Sequence, residues 1–376
     1  MALRVAIDAT PLLGHRTGIG VFTHELLSAL PVQGVAPVAY ATSWRGRGQL
    51  RSQLPSGVGW SKRPQAARPL RRMWARGDWP PIEWWSGKVD VVHGTNFVVP
   101  PSNGAACVVS IHDLTFLHYP EMSQSATLEY PDLIKRALQR GAWVHCDSAF
   151  VADEVVTAFS ASPERVVTIP LGVNTAGPGE ISLGWYLAGN KRYILALGTV
   201  EPRKDLPTLV EAFSEVAAND AEVSLVIAGP DGWGSEALSR ALERSAYRHR
   251  IRRLGWVNET ERWALLRGAT VLAYPSRYEG FGLPPLEAMS VGTPVVATAV
   301  GSLPEVLGEA AWLVEPTDVS ALAQALDQVL NSSEVQRRLI SAGITQASNY
   351  SWAATAASFS QLYANLTLNH HQHKPR

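Results

Sequence analysis

A chain of 376 residues is long for one domain and comfortable for two. Hydrophobic residues make up 46% and charged residues 18%, the balance of a well-buried globular protein, and Lys+Arg and Asp+Glu both number 33, so no global field draws nucleic acid. No apolar run approaches the roughly 18 residues of a membrane span, the opening "MALRVAIDAT" reads as a strand rather than a signal peptide, and Cys107 and Cys146 read as buried free thiols, so a soluble, cytoplasmic protein is expected.

From the amino terminus, short runs rich in β-branched residues alternate with longer amphipathic segments. The first half offers "LRVAID" (3–8), "APVAYATS" (36–43), "VDVVHG" (89–94), "ACVVSIH" (106–112), "WVHCDS" (143–148) and "VVTIP" (166–170). Helical stretches such as "GVFTHELLSAL" and "SAFVADEVVTAF" lie between them. The second half offers "RYILALG" (192–198), "EVSLVIAG" (222–229), "IRRLGWV" (251–257), "ATVLAYPS" (269–276), "TPVVAT" (293–298) and "AAWLVEP" (310–316). Strands that are continuously apolar are covered on both faces, and strand alternating with helix means a parallel sheet in each half. The glycine-rich "GVNTAGPGEISLG" (172–184) reads as a linker. The expected fold is α/β, with two doubly wound, Rossmann-like domains at 1–178 and 179–355 around a cleft. A carboxy-terminal helix at 356–376 is placed to cross back to the first domain, ending in a polar tail.

One charge feature stands apart. From Ala41 to Gly77 there are nine Lys/Arg and no Asp/Glu, and six tryptophans fall in or just after that span, by Trp85. Such a segment fits an anionic membrane surface, or a mobile loop whose aromatics pack onto the domain.

In doubly wound sheets ligands gather outside the carboxyl ends of the strands. After the first strand, "HRTGIG" carries Gly18 and Gly20, without the third glycine of a dinucleotide fingerprint. The second strand runs into the basic "SWRGRG" rather than a ribose-binding acid, which counts against a nicotinamide enzyme. His112 ends the fourth strand, where a loop cap and a ligand contact are both open readings. "GTVEPRKDL" sets Arg203 and Lys204 just after a strand: a fork and a point charge for phosphate oxygens, or a surface basic pair. In "YEGFGLPPLEAM", Gly280 and Gly282 allow close backbone approach and unusual dihedrals, and Pro284 and Pro285 suit a helix's first turn. A helix starting around Leu283 to Pro285 would aim its N–H groups at a diphosphate. Glu279 before the loop and Glu287 in the first turn bracket that anion site; the alternative is two solvated helix-start acids. No Asp-x-Asp pair or His/Cys cluster offers a metal site, and the "HHQH" at 370–373 belongs to the polar tail.

Together "TGIG", "HDL", "GTVEPRK", "AGPDGWG", "LGWV" and "YEGFGLPPLEAMSVGTPVVAT…GSLPEV" resemble glycosyltransferase family 4, the retaining transferases of the GT-B fold. The resemblance spans nearly the whole chain and is densest from Gly198 to Glu315, where the acid–seven residues–acid spacing falls on Glu279 and Glu287. The opening "IDATPLL…RTGIG" resembles the mannosyl- and rhamnosyltransferase branch that builds bacterial surface polysaccharides. The resemblance implies that Glu279, with the backbone of Gly280, Phe281, Gly282 and Leu283, holds the donor sugar and diphosphate, and that Glu287 holds the ribose. It further implies that Arg203 and Lys204 neutralise the diphosphate and that His112 contacts the sugar near its reacting carbon. Gly18 and Gly20 would admit phosphate or acceptor against the first helix, and the base would rest on Trp256 and Val257.

The expected activity is therefore a retaining, metal-independent transfer of a sugar, mannose favoured, from a nucleotide diphosphate (GDP-mannose) to an acceptor hydroxyl. No cofactor is expected. The partners would be a nucleotide-sugar donor, a glycan or lipid-linked acceptor and an anionic membrane surface, with no nucleic acid. The rivals are a GT-B-like epimerase or phosphorylase and a non-catalytic nucleotide-sugar binder. Two carboxyls around one glycosidic oxygen, as hydrolysis needs, fit poorly with an anion-binding helix start between them.

Overall fold

A computed structural model describes residues 2–14, 17–44, 46–63, 66–123, 127–174 and 177–372. His15 and Arg16 of the first glycine loop, and the side chains of the "HHQH" tail, lie outside the described residues. The chain forms two compact units, Met1–Gly172 together with Ser351–Arg376, and Val173–Tyr350.

The first unit is built on a seven-stranded sheet: β1 (Leu3–Asp8), β2 (Val35–Tyr40), β3 (Gly59–Trp60), β4 (Val91–Gly94), β5 (Ala106–Ile111), β6 (Trp143–Cys146) and β7 (Val166–Thr168). Its spatial order is β3-β2-β1-β4-β5-β6-β7, every pair parallel. The second unit holds β8 (Tyr193–Leu197), β9 (Ser224–Ala228), β10 (Ile251–Gly255), β11 (Val271–Tyr274), β12 (Val295–Thr298) and β13 (Trp312–Val314). Their order is β10-β9-β8-β11-β12-β13, again parallel throughout. β8, β9, β11 and β12 are buried along their whole length because helices cover both faces. The short β3 escapes sequence reading: two residues are too few to show a period.

Strand order reverses between β1 and β4 in the first unit and between β8 and β11 in the second. Such switch points open a crevice where chain leaves adjacent strands in opposite directions. Gly18 and Gly20 follow β1, His112 follows β5, Arg203 and Lys204 follow β8, and Glu279 follows β11.

Two expected segments take a more ordered form. The reading of 172–184 as a linker ends early, since a helix, Ile181–Ala188, begins inside it. The basic span is folded rather than a mobile loop: it forms helices Arg47–Gln53, Ala67–Arg76 and Glu83–Ser86, and Trp74 is fully buried with its Nε1 donating to Pro80 O at 3.0 Å. The helix Trp352–Gln372 belongs to the first unit, where Thr355 Oγ1 donates to Pro170 O at 2.8 Å. No helix among the described residues is long and apolar enough to cross a membrane.

Candidate functional site

The second unit gathers its notable residues on two loops tied together by backbone. Arg277 N donates to Arg203 O at 2.7 Å, and Arg277 Nε pairs with Asp205 Oδ2 at 3.0 Å. Asp205 ends the short turn Pro202–Lys204 with φ 46°, a conformation a non-glycine residue rarely adopts. This turn carries Arg203 and Lys204 back toward β11.

There Lys204, Arg203 and Glu279 converge. Glu279 Oε1 receives Lys204 Nζ at 2.5 Å, Arg203 Nη1 at 2.9 Å and Ser276 Oγ at 2.6 Å. The Lys204 ammonium also donates to the Tyr274 hydroxyl and lies 4.3 Å from that ring's centre. All but Arg203 are nearly or fully buried. Burial alone would raise the Glu279 pKa, but Arg203, Lys204 and the Ser276 hydroxyl bring it down to about 2. Burial likewise weakens the Lys204 ammonium, only partly offset by Glu279. The 2.5 Å contact is best described as an ion pair, because a carboxylate held this acidic needs its cation.

Glu279 is fixed through its backbone as well. Ser302 N and Oγ both donate to Glu279 O, at 3.0 and 3.1 Å. Gly301 (φ 56°) makes this possible, since a Cβ there would lie 2.2 Å from Glu279 O. The "GSLPEV" stretch is thus packing for the glutamate.

The helix forms as expected over Leu283–Ser290, with Gly282 (φ 97°) at its N-cap. Only Gly282 of the loop's two glycines adopts the left-handed conformation; Gly280 does not. Glu287 is corrected by one turn: as the fifth helical residue it lies beyond the first turn, where the helix dipole is weaker. Nor are the two acids solvated, being 5% and 1% exposed. Phe281 packs edge-on against Tyr350, ring centres 5.7 Å apart. Glu287 pairs with Arg262 of the helix Glu259–Gly268, and burial raises its pKa, a rise that Arg262 offsets only in part. Trp256, expected under the base, is 53% exposed.

The first unit holds His112, Gly18 and Gly20. Gly18 opens the helix Gly18–Ala29 with open space where a Cβ would stand, while Gly20 is buried. His112 Nδ1 faces Asp147 Oδ2 at 2.7 Å and Nε2 faces Thr95 O at 2.7 Å. A carboxylate and a carbonyl facing the two ring nitrogens favour the doubly protonated ring. Burial lowers its pKa, but Asp147 and Thr95 O outweigh burial and the net shift is upward. Behind it runs a fully buried chain. Tyr363 OH bonds His93 Nδ1 (2.7 Å), His93 Nε2 bonds Ser110 Oγ (2.8 Å), Ser110 Oγ bonds His145 Nδ1 (2.8 Å) and His145 Nε2 bonds Ile169 O (2.9 Å). Burial holds His145 down at about 4 and His93 well below its ordinary value, so both are neutral. The Ile169 carbonyl can only accept, which directs every proton along the chain one way. Asp147, Arg262, Tyr274 and Ser276 were not singled out in the sequence; the first three act through contacts 25 or more positions away, and Ser276 through one three residues along.

Both thiols are free, as expected. Cys146 is buried and Cys107 half-buried, its pKa pushed up to about 12 by burial.

Comparison with known proteins identifies the family and the fold. The models of "Glycosyltransferase Family 4" and "Glycosyl transferases group 1" match residues 16–176 and 185–346. O-antigen chain mannosyltransferase B of Escherichia coli is 32% identical over 292 residues, 76% of this chain and 74% of that one. The MMP alpha-(1->4)-mannosyltransferase of Mycolicibacterium hassiacum is 35% identical over 224 residues, 57% of this chain and about half (52%) of that one. Among solved structures, the sucrose-phosphate synthase of Thermosynechococcus elongatus superposes with a TM-score of 0.74 at 19% identity, covering 98% of this chain and 100% of that one. The Anabaena HepE protein, solved with UDP and glucose, gives 0.74 at 17% identity, covering 97% and 100%. The chain belongs to glycosyltransferase family 4, has the GT-B fold and is a glycosyltransferase.

Proposed function

We propose that this glycosyltransferase moves mannose from a nucleotide diphosphate to an acceptor hydroxyl in polysaccharide or glycolipid synthesis, retaining anomeric configuration and needing no metal ion. The observation that carries the reading is the cluster of buried Lys204 and Glu279 with half-buried Arg203 at the β8/β11 switch point. Two cations preorganised on one carboxylate, one of them buried, suit the charge that develops on a departing diphosphate, the work a divalent ion does elsewhere. Glu279, held ionised, accepts hydrogen bonds from sugar hydroxyls, and Glu287 does the same for the ribose. The backbone of Gly280, Phe281, Gly282 and Leu283 faces the phosphates, and His112 is the residue proposed to contact the sugar near its reacting carbon. Since both His112 ring nitrogens are taken, that contact runs through its backbone or follows a rearrangement. Gly18 and Gly20 admit phosphate or acceptor against the first helix.

Mannose is favoured by relatives named as mannosyltransferases, and a nucleotide-sugar donor by HepE, a protein of the same fold solved with UDP-glucose. The basic helix Ala67–Arg76, with Trp79 and Trp84 exposed beside it, supports work at the inner face of a membrane on a lipid-linked acceptor. A thermal-shift panel of GDP-mannose, UDP-glucose, UDP-galactose and ADP-glucose tests the donor, and anomer-resolved NMR of the product, with and without EDTA, tests the rest. GDP-mannose should stabilise most and the product should keep the donor's configuration in EDTA. Inversion, loss on chelation with rescue by Mg²⁺ or Mn²⁺, or another preferred donor would each overturn the corresponding part.

A further inference from the structure

Arg262 belongs to none of the motifs that carry the family resemblance, yet it lies on the acid expected to hold the ribose. It projects from the helix Glu259–Gly268, whose start is fixed by a capping box between Asn258 and Glu261. Its guanidinium pairs with Glu287 Oε2 and lies 5.3 Å from the centre of the Trp263 ring. The Arg262 side chain is 24% exposed and that of Glu287 only 1%. The ion pair therefore has one buried and one open end.

A ribose brings hydroxyl donors but no positive charge. A buried carboxylate stripped of its cation is costly, and neutral donors replace that charge poorly. Displacing Arg262 to seat a ribose would therefore weaken binding. Leaving it in place keeps the carboxylate charged and still leaves Oε1 and spare lone pairs as acceptors.

We propose that Arg262 is a positioning residue for nucleotide binding: it stays paired with Glu287 when a nucleoside diphosphate enters, and keeps that carboxylate ionised to accept the ribose hydroxyls. The inference rests on the nucleotide-sugar reading above. The charged groups acting on Glu287 are Arg262 and Glu259, both from the helix Glu259–Gly268. Glu287's own helix, Leu283–Ser290, meets the helix Ser333–Ser348 where Gly343 faces Met289 and where Ile340 and Ile344 face Gly292, and β11 and β12 are apolar beside it apart from a terminal tyrosine and threonine. Without Arg262, burial and Glu259 both favour the protonated acid, and a protonated Glu287 is a poorer acceptor.

The test is calorimetric titration of GDP, UDP and ADP, each against its 2′,3′-dideoxy form, at pH 8 and pH 6, into wild type, Arg262→Leu and Arg262→Lys. Melting curves establish that each variant is folded. Wild type should prefer the ribose form at both pH values. Arg262→Leu should lose about tenfold in affinity for the ribose form between pH 8 and 6, with the dideoxy form unaffected, and Arg262→Lys should restore the flat profile. A folded Arg262→Leu with wild-type affinity and a flat profile would overturn the inference while leaving the nucleotide reading intact, as would an equal loss for both forms. A wild type that binds none of the three would overturn the nucleotide reading itself, and the inference with it.

Discussion

Lys204 Nζ lies 2.5 Å from Glu279 Oε1, both residues buried, with Arg203 Nη1 completing the cluster at 2.9 Å. The family resemblance assigns these residues to different parts of the ligand, the cations to phosphate and the acid to sugar. Their contact makes them one device, in which the acid pre-positions the ammonium and the ammonium keeps the acid charged. Removing Lys204 still leaves Glu279 its Arg203 and Ser276 partners, so Lys204→Ala should fold. Turnover should drop about 10²–10³-fold, as when one preorganised transition-state donor is removed. Initial rates on protein with a wild-type circular dichroism spectrum decide it, and near-normal turnover would refute the diphosphate role.

The same contact has an acid-stability consequence. The Glu279 pKa is about 2 in the fold against an ordinary 4.5, so its ionisation contributes stability that is complete above pH 4.5 and lost as pH falls through 2. The difference corresponds to about 3 kcal/mol. Urea unfolding of wild type and Glu279→Gln from pH 7 to pH 3 should show the gap between them narrowing toward acid. A gap constant with pH would mean the carboxylate is not the ionised partner.

Glu279 pairs with Arg203 and Lys204 and Glu287 with Arg262, and the two variants should fail differently. Glu287→Gln should mainly weaken binding of free nucleoside diphosphate, because the ribose is remote from the reacting bond. Glu279→Gln should chiefly lower kcat. Competition by free nucleoside diphosphate separates the two, and equal affinity losses in both variants would undo this division.

His112 should titrate above its ordinary 6.5 and His145 near 4. The His112 charge then contributes stability present below pH 6.5 and lost as pH rises through its raised value. Ring-nitrogen NMR on wild type and Asp147→Asn reads this directly. The Asn variant should bring the His112 midpoint down, and an unchanged midpoint would remove Asp147 as the cause.

The strands were legible because a strand covered on both faces must be apolar throughout, and "YILAL" or "SLVIA" can be little else. The glycine-proline loop was legible for a similar local reason: Gly282 must take φ 97°, and prolines are tolerated only where a helix starts. What escaped was long-range. Arg262 meets Glu287 across 25 positions and Lys204 meets Tyr274 across 70, and nothing local to either residue encodes its partner. Burial escaped too: the two acids, open to a solvated reading in the sequence, are 5% and 1% exposed. The basic segment was legible as charge but not as folded helix, because the residue that anchors it, Trp74, looked like any other tryptophan there.

That helix, Ala67–Arg76, now gives the membrane proposal a sharper form. Leu70 and Trp74 turn inward and are buried, while Arg68, Arg72 and Arg76 are exposed. Arg71 differs: it is half-buried and packs over the Tyr130 ring at 6.0 Å, so substituting it would disturb the fold rather than the surface. Trp79 and Trp84 are 56% and 48% exposed and meet edge-to-face, ring centres 5.1 Å apart. Each cation near an anionic bilayer is worth about 1 kcal/mol, and tryptophan settles at the headgroup level. The triple change of Arg68, Arg72 and Arg76 to Ser should therefore lower co-sedimentation with phosphatidylglycerol vesicles by about two orders of magnitude in low salt. Nucleotide-sugar binding, placed in the second unit, should be unchanged in the same buffer. Trp79→Ser with Trp84→Ser should weaken vesicle binding in a manner less sensitive to salt, since an apolar contact is not screened. A wild type that ignores anionic vesicles altogether would make this surface an ordinary solvated face and leave a soluble acceptor as the better reading.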